Sequence, residues 1–130
     1  GKTNAALGMY SDTLHLYPGN QVITLQYAKA LLKAGKTSDA RKVLNGLIDN
    51  NTRVPPEAYR LLAQAASADK QSMETHTAMA EYYYLNGLTH DAIEQFSLAL
   101  KSPGISFYEK SKIEARQKVM QDELLETEDR

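Results

Sequence analysis

Ala28-Lys29-Ala30-Leu31-Leu32-Lys33-Ala34-Gly35-Lys36-Thr37-Ser38-Asp39-Ala40-Arg41-Lys42-Val43-Leu44-Asn45-Gly46-Leu47 decides how this chain is read. Its skeleton is Ala28, Leu31, Gly35, Ala40, Leu44 and Leu47. Ala80, Tyr83, Gly87, Ala92, Phe96 and Ala99 repeat that skeleton with identical gaps. A small residue, a large apolar one, a Gly at the turn, then Ala and two further contact residues describe an antiparallel helix hairpin. This is the layout of the tetratricopeptide repeat (TPR), a unit of about 34 residues. Such units stack into solenoids whose extended surfaces bind other proteins.

Working outward, the pattern predicts about seven helices in an all-α, TPR-type superhelix. Residues 3–17 read as a helix with Ala6, Tyr10, Thr13 and Leu14 on one stripe, stopped by Pro18-Gly19. It resembles the second helix of a repeat whose first helix lies upstream, so Leu7, Leu14 and Leu16 are expected to expose apolar surface. Asn20 is a good N-cap for a helix over 21–34, and Gly35 suits its left-handed C-cap. Thr37 is expected to cap a helix to about Asp49, whose Ala40, Val43, Leu44, Leu47 and Ile48 form one apolar stripe. Residues 19–52 thus make one complete repeat.

After the Val54-Pro55-Pro56 insertion, residues 57–68 read as a helix with Tyr59, Leu62, Ala63 and Ala66 inward. Ser72 and Thr89 are expected to cap the next two. The last helix is expected near 106–125, burying Phe107, Ile113, Val119 and Leu124. The two matching copies are offset by 52 residues, about one and a half repeats. Residues 55–104 are therefore read as overlapping repeats that share the helix at 72–86. A shared helix changes the stacking direction, so the solenoid is expected to curl into a compact body, with 105–126 as its C-terminal helix.

Bulk properties narrow the function. The 130 residues are 42% hydrophobic and 24% charged, which suits one soluble domain. A net charge of −1 supplies no basic field for nucleic acid. No apolar run reaches membrane-spanning length. The chain has no Cys, so disulfides and thiolate metal sites are excluded. It opens without a helix start or signal peptide, as a piece of something longer would. His15, His76 and His90 are dispersed, and His90 and Glu94 merely lie one turn apart, so three or four convergent metal ligands are not expected. No Gly pair has phosphate-loop spacing and no nucleophile elbow is present. No cofactor and no catalytic role are expected of this stretch.

In TPR folds the first helix of each pair lines a groove. The positions that map to it are Val22, Leu25, Lys29, Leu32 and Lys33, then Arg60 and Gln64, then Thr77, Glu81 and Tyr84 in the shared helix. This apolar floor with basic edges suits an extended peptide. Tyr82-Tyr83-Tyr84 point about 100° apart on a helix, so all three cannot enter one core. Tyr83 takes the core position. Either Tyr84 leans into the groove as an interface anchor, or the curled body buries Tyr82 and Tyr84 with their hydroxyls at the surface.

Asn20-Gln21-Val22, Tyr27-Ala28, Leu31-Leu32, Ala34-Gly35-Lys36, Ala40, Leu44-Asn45 and Leu61-Leu62-Ala63-Gln64-Ala65 give the chain a further resemblance. From Asn20 onward it resembles the C-terminal TPR region of BepA-type (YfgC-type) proteins, periplasmic zinc metalloproteases that assist outer-membrane β-barrel assembly. The resemblance implies a periplasmic location and a zinc-bearing protease domain upstream. The family's His-Glu-x-x-His is absent here, so no catalytic residue carries over. It implies that this part docks the protease on the barrel-assembly machinery or its clients. The alternatives are an intramolecular cap on the parent's own protease domain, or a TPR adaptor unrelated to proteolysis.

Overall fold

The computed structural model describes residues 2–128, and among them the chain forms seven α-helices and no strand. They are α1 (Lys2–Leu16), α2 (Gln21–Lys33), α3 (Thr37–Asp49), α4 (Pro56–Ala68), α5 (Ser72–Leu85), α6 (Thr89–Leu100) and α7 (Phe107–Glu128). Each helix packs on its chain neighbour, and α2 also touches α4. This is an all-α TPR-type superhelix.

Three inter-helix turns share one construction. After α2, Lys36 N–H bonds the Leu31 carbonyl at 2.8 Å and Gly35 N–H bonds Leu32 at 3.0 Å. After α4, Gln71 and Lys70 bond Ala66 and Ser67 in the same way. After α5, Leu88 and Gly87 bond Tyr83 and Tyr84. These are Schellman turns, which satisfy the last carbonyls of a helix and require a left-handed residue. Gly35 and Gly87 fill that position at φ of 77° and 80°. Lys70 fills it at 58°, the one non-Gly residue at positive φ among the described residues.

The core is tiled in three parts. Leu7, Leu31, Ala40 and Ala65 form the N-terminal cluster. Ala28, Leu44, Leu47, Ala58, Leu61, Leu62, Ala63 and Ala78 form the middle one. Ala80, Ala92, Phe96, Ala99, Ile113 and Met120 form the C-terminal one. The middle and C-terminal clusters each take one residue from α5, namely Ala78 and Ala80. Two residues along a helix turn through about 200°, so α5 is packed on opposite sides.

Several expectations need correction. Leu7 is buried against α2, because the inner stripe of α1 runs through it and Tyr10, whose ring lies 6.2 Å from that of Tyr27. Leu16 is exposed. Thr37, Ser72 and Thr89 are the first helical residues rather than caps, and the preceding Lys36, Gln71 and Leu88 make no side-chain cap bond. Asn20 does cap, its Oδ1 accepting from Ile23 N–H at 2.9 Å. In α7, Ile113 and Met120 are buried, whereas Phe107 and Val119 are exposed, at 85% and 44%. The inward stripe of α7 also carries Arg116 and Gln117, which bond across to α5 and α6. Counting apolar residues therefore misplaces it. Ser106 and Glu109 start α7 with a capping box, each side chain bonding the other's N–H at 3.1 and 3.0 Å.

Two substitutions test the turns. Lys70→Gly should raise stability by about 0.5–1 kcal/mol, because a left-handed Lys costs more than the chain entropy a Gly adds. Nothing lies within 4 Å of a Cβ built on Gly35. Gly35→Val should therefore destabilise through backbone strain alone, by roughly 1 kcal/mol or more. Thermal melts of the two variants should shift in opposite directions.

Candidate protein-binding surfaces

Seven of the ten groove positions fall on two separate surfaces. Lys29, Leu32 and Lys33 of α2 join Arg60, Leu61 and Gln64 of α4 around an open depression of about 300 Å³. Leu32 and Leu61 supply an apolar floor, and three cations stand at its rim. Glu57 partly balances them. It pairs with Lys29 at 2.7 Å and with Arg60 at 3.4 Å. The hydrogen bond from Lys29 is the main reason its carboxyl is held below the usual range. Lys33 makes no ion pair among the described residues. Val22, 64% exposed, lies outside the depression. Leu25 is turned onto the middle core.

The α5 positions lie elsewhere. Thr77 and Glu81 line a different hollow of about 430 Å³, with Asn45 and Ile48 of α3, Tyr59 and Leu62 of α4, and Lys112 and Arg116 of α7. No residue is common to the two surfaces. The reason is the two-sided packing of α5, which turns this face toward α3 and α7. Tyr84 is not a free anchor. Its hydroxyl donates to Glu123 at 2.5 Å, and the Arg116 guanidinium lies 5.0 Å from its ring centroid. Arg116 also grips Glu81 with a two-pronged contact at 2.7 and 3.0 Å. The phenol is accordingly pushed up, chiefly by its bond to Glu123 and then by burial. Tyr82 and Tyr83 are half-buried as well.

A polar network beside this hollow carries no signature that the sequence reading caught. Arg41 of α3 reaches Glu74 of α5 at 2.7 Å and Asp69 of the α4–α5 turn at 3.2 Å. Thr37 and Ser38 donate to the same Asp69, and Asn45 donates to Glu74 at 3.3 Å. The missed signal is spacing. Thr37 and Asp69 are 32 residues apart, close to one repeat, so the same turn in successive units faces itself. The Asp69 carboxyl is held below its ordinary value, first by Thr37 and, against the opposing effect of burial, also by Arg41 and Ser38.

The histidines do not converge. His76 Nδ1 lies 2.9 Å from the Gln95 side-chain oxygen, and His90 approaches Glu128 at 3.8 Å. Among the described residues, no three His, Asp or Glu side chains come together as metal ligands, and no helix is long and apolar enough to cross a membrane.

The family model described as tetratricopeptide repeat matches residues 1–56, which span α1 to α3. No curated protein matches the chain. A TPR-containing domain is a protein- or peptide-binding scaffold as a class, and this chain's exposed surfaces are built on that scaffold.

Asp69 and Glu57 set the acid response. Both have lowered carboxyl values in the folded chain, so their stabilisation is fully present above the ordinary carboxylate range and is lost as pH falls through the lowered values. Melting temperature should fall between roughly pH 4 and the lower limit of refolding. Thr37→Val should flatten that fall, because Thr37 is the first cause of the Asp69 shift. Arg116→Ala should cost about 0.5–1 kcal/mol, the scale of a half-exposed two-pronged pair, and should raise the reactivity of Tyr84 toward a phenol-directed label.

Proposed function

We propose that this chain is a protein-interaction module that holds an extended segment of another protein across the α2–α4 depression. The observation that carries the reading is the basic rim of Lys29, Lys33 and Arg60 around the Leu32–Leu61 floor, on first helices of successive hairpins. Apolar floor gives affinity, and rim charge gives orientation and encounter rate. The resemblance to BepA-type proteins supports a more specific role. In it, the module sits in the periplasm and docks an envelope zinc metalloprotease on the outer-membrane barrel-assembly machinery or its clients. No chemistry is assigned to the module itself, and the zinc belongs to the protease domain that the resemblance places upstream.

A second reading, a cap on the parent's own protease domain, is favoured by a different observation. Met9 in the middle of α1 and Leu16 and Tyr17 at its end are 71%, 76% and 61% exposed. Exposed apolar side chains along a terminal helix of a solenoid suit a covering domain.

Site-specific photo-crosslinking in the full-length parent separates the two. Probes at Lys33, Arg60 and Gln64 should capture barrel-assembly components, with Lys118 on the outer face of α7 as control. Lys33→Glu combined with Arg60→Glu should reduce that capture about tenfold or more. Equal capture from Lys118 would contradict the docking role. Adducts only within the same chain, from a probe at Leu16, would favour the cap.

A further inference from the structure

The second hollow has its own chemistry. It continues past Thr77 and Phe96 into an adjoining space of about 400 Å³, walled by Met73 of α5 and by Tyr108 and Ile113 of α7. The combined cleft has a floor of Ile48, Leu62, Phe96 and Ile113 and an open mouth beside Tyr108. An exposed aromatic ring beside an apolar floor is a place for a bulky side chain of a partner.

The polar groups around that floor are unequal. Both carboxylate oxygens of Glu81 are taken by Arg116. Glu109 is occupied by the Ser106 N–H at the start of α7. Besides the second Glu109 oxygen and the Asn45 side-chain oxygen, three groups keep free donors. Lys112 has no carboxylate partner among the described residues, and its ammonium rests 5.4 Å from the Tyr108 ring centroid. Arg116 keeps its Nη1 free after binding Glu81 through Nε and Nη2. The Tyr59 hydroxyl has no hydrogen-bond partner among the described residues. An unpaired ammonium at the lip and a free guanidinium nitrogen beside the apolar floor complement an anion held next to an apolar group, and the second Glu109 oxygen stands on the far side of Lys112 from Arg116 in sequence.

We infer that the cleft between α4, α5 and α7 is a second binding site, distinct from the α2–α4 depression, and that its occupant is a peptide segment carrying an acidic residue directly beside a bulky apolar one. The apolar side chain enters against Phe96, Ile113 and Tyr108, and the carboxylate meets Lys112 and the free face of Arg116. This site uses α7 as its wall, so a protein bound here also holds α7 in place. A chain with two such surfaces can grip two segments of one partner, and the second contact then forms at high effective concentration.

The test uses a peptide array probed with the labelled 130-residue chain. Ten-residue peptides carry a fixed central Phe-Asp, Phe-Lys, Ala-Asp or Ala-Lys pair within randomised flanks. Phe-Asp peptides should bind best. Lys112→Glu should weaken them about tenfold and move the preference toward Phe-Lys, the direction charge reversal at a binding rim demands. Tyr108→Ala should narrow the gap between Phe-Asp and Ala-Asp. Arg60→Glu, in the other surface, should leave the Phe-Asp preference intact. Both Lys112 and Tyr108 are exposed, and unchanged far-UV circular dichroism confirms that their variants are folded. No selection among the four pairs, or a preference indifferent to Lys112→Glu and lost in Arg60→Glu, overturns the assignment.

Discussion

Ala78 and Ala80 sit two residues apart on α5, both buried, and they belong to different cores. That step lets α5 serve the middle and the C-terminal core together. Helices α2, α3 and α4 likewise feed two clusters each, Ala63 and Ala65 of α4 repeating the step. Helix α5 lies between α4 and α6 and is covered again by α7. Alanine makes this possible, because a methyl group lets two helix backbones approach closely on each side. Ala58, Ala65, Ala66, Ala92 and Ala99 continue the pattern on the neighbouring helices, each with no exposed surface. The consequence for function is that the face of α5 which would extend the α2–α4 groove is turned away from it. Two shallow hollows stand where one long groove is expected.

Small residues pack closely but contribute little each. A fully buried Leu or Phe contributes about 1.5–3 kcal/mol, and an Ala methyl well under 1. The large buried side chains are correspondingly few. Leu44, Leu47, Leu61 and Leu62 serve the middle core, and Phe96, Ile113 and Met120 serve the C-terminal one. The ion pairs gather where the apolar contact is thinnest, from α3 to α5 through Arg41 and from α5 to α7 through Arg116. Half-exposed pairs contribute about 1 kcal/mol at most.

The sequence carried the helices and turns well where a residue type has only one physical use. Gly35 and Gly87 mark left-handed caps because other residues strain there. The third such turn was illegible, since Lys70 bears no mark of positive φ. The caps at Thr37, Ser72 and Thr89 were misread by one position. In the case of Thr37 the hydroxyl bonds Asp69, a residue one repeat away, and no local rule sees that contact. The inner stripe of α7 was misread because two of its members, Arg116 and Gln117, are polar. Mapping groove positions by repeat register placed Lys29, Leu32, Lys33, Arg60 and Gln64 around one depression. The same mapping assigned Thr77, Glu81 and Tyr84 to that groove, whereas they lie on another surface. A helix packed on both of its chain neighbours has apolar residues on more than one face, and a one-dimensional pattern cannot say which face meets the groove.

The most direct test of this architecture is a proton NMR measurement on the chain in solution. If α7 covers the face of α5, the Tyr84 ring protons should show strong nuclear Overhauser contacts to the side-chain methylenes of Arg116, whose guanidinium lies 5.0 Å from the ring centroid. A folded, fully helical chain in which Tyr84 shows no contact to any α7 residue would contradict the account, and would return Tyr84 and Glu81 to an open groove.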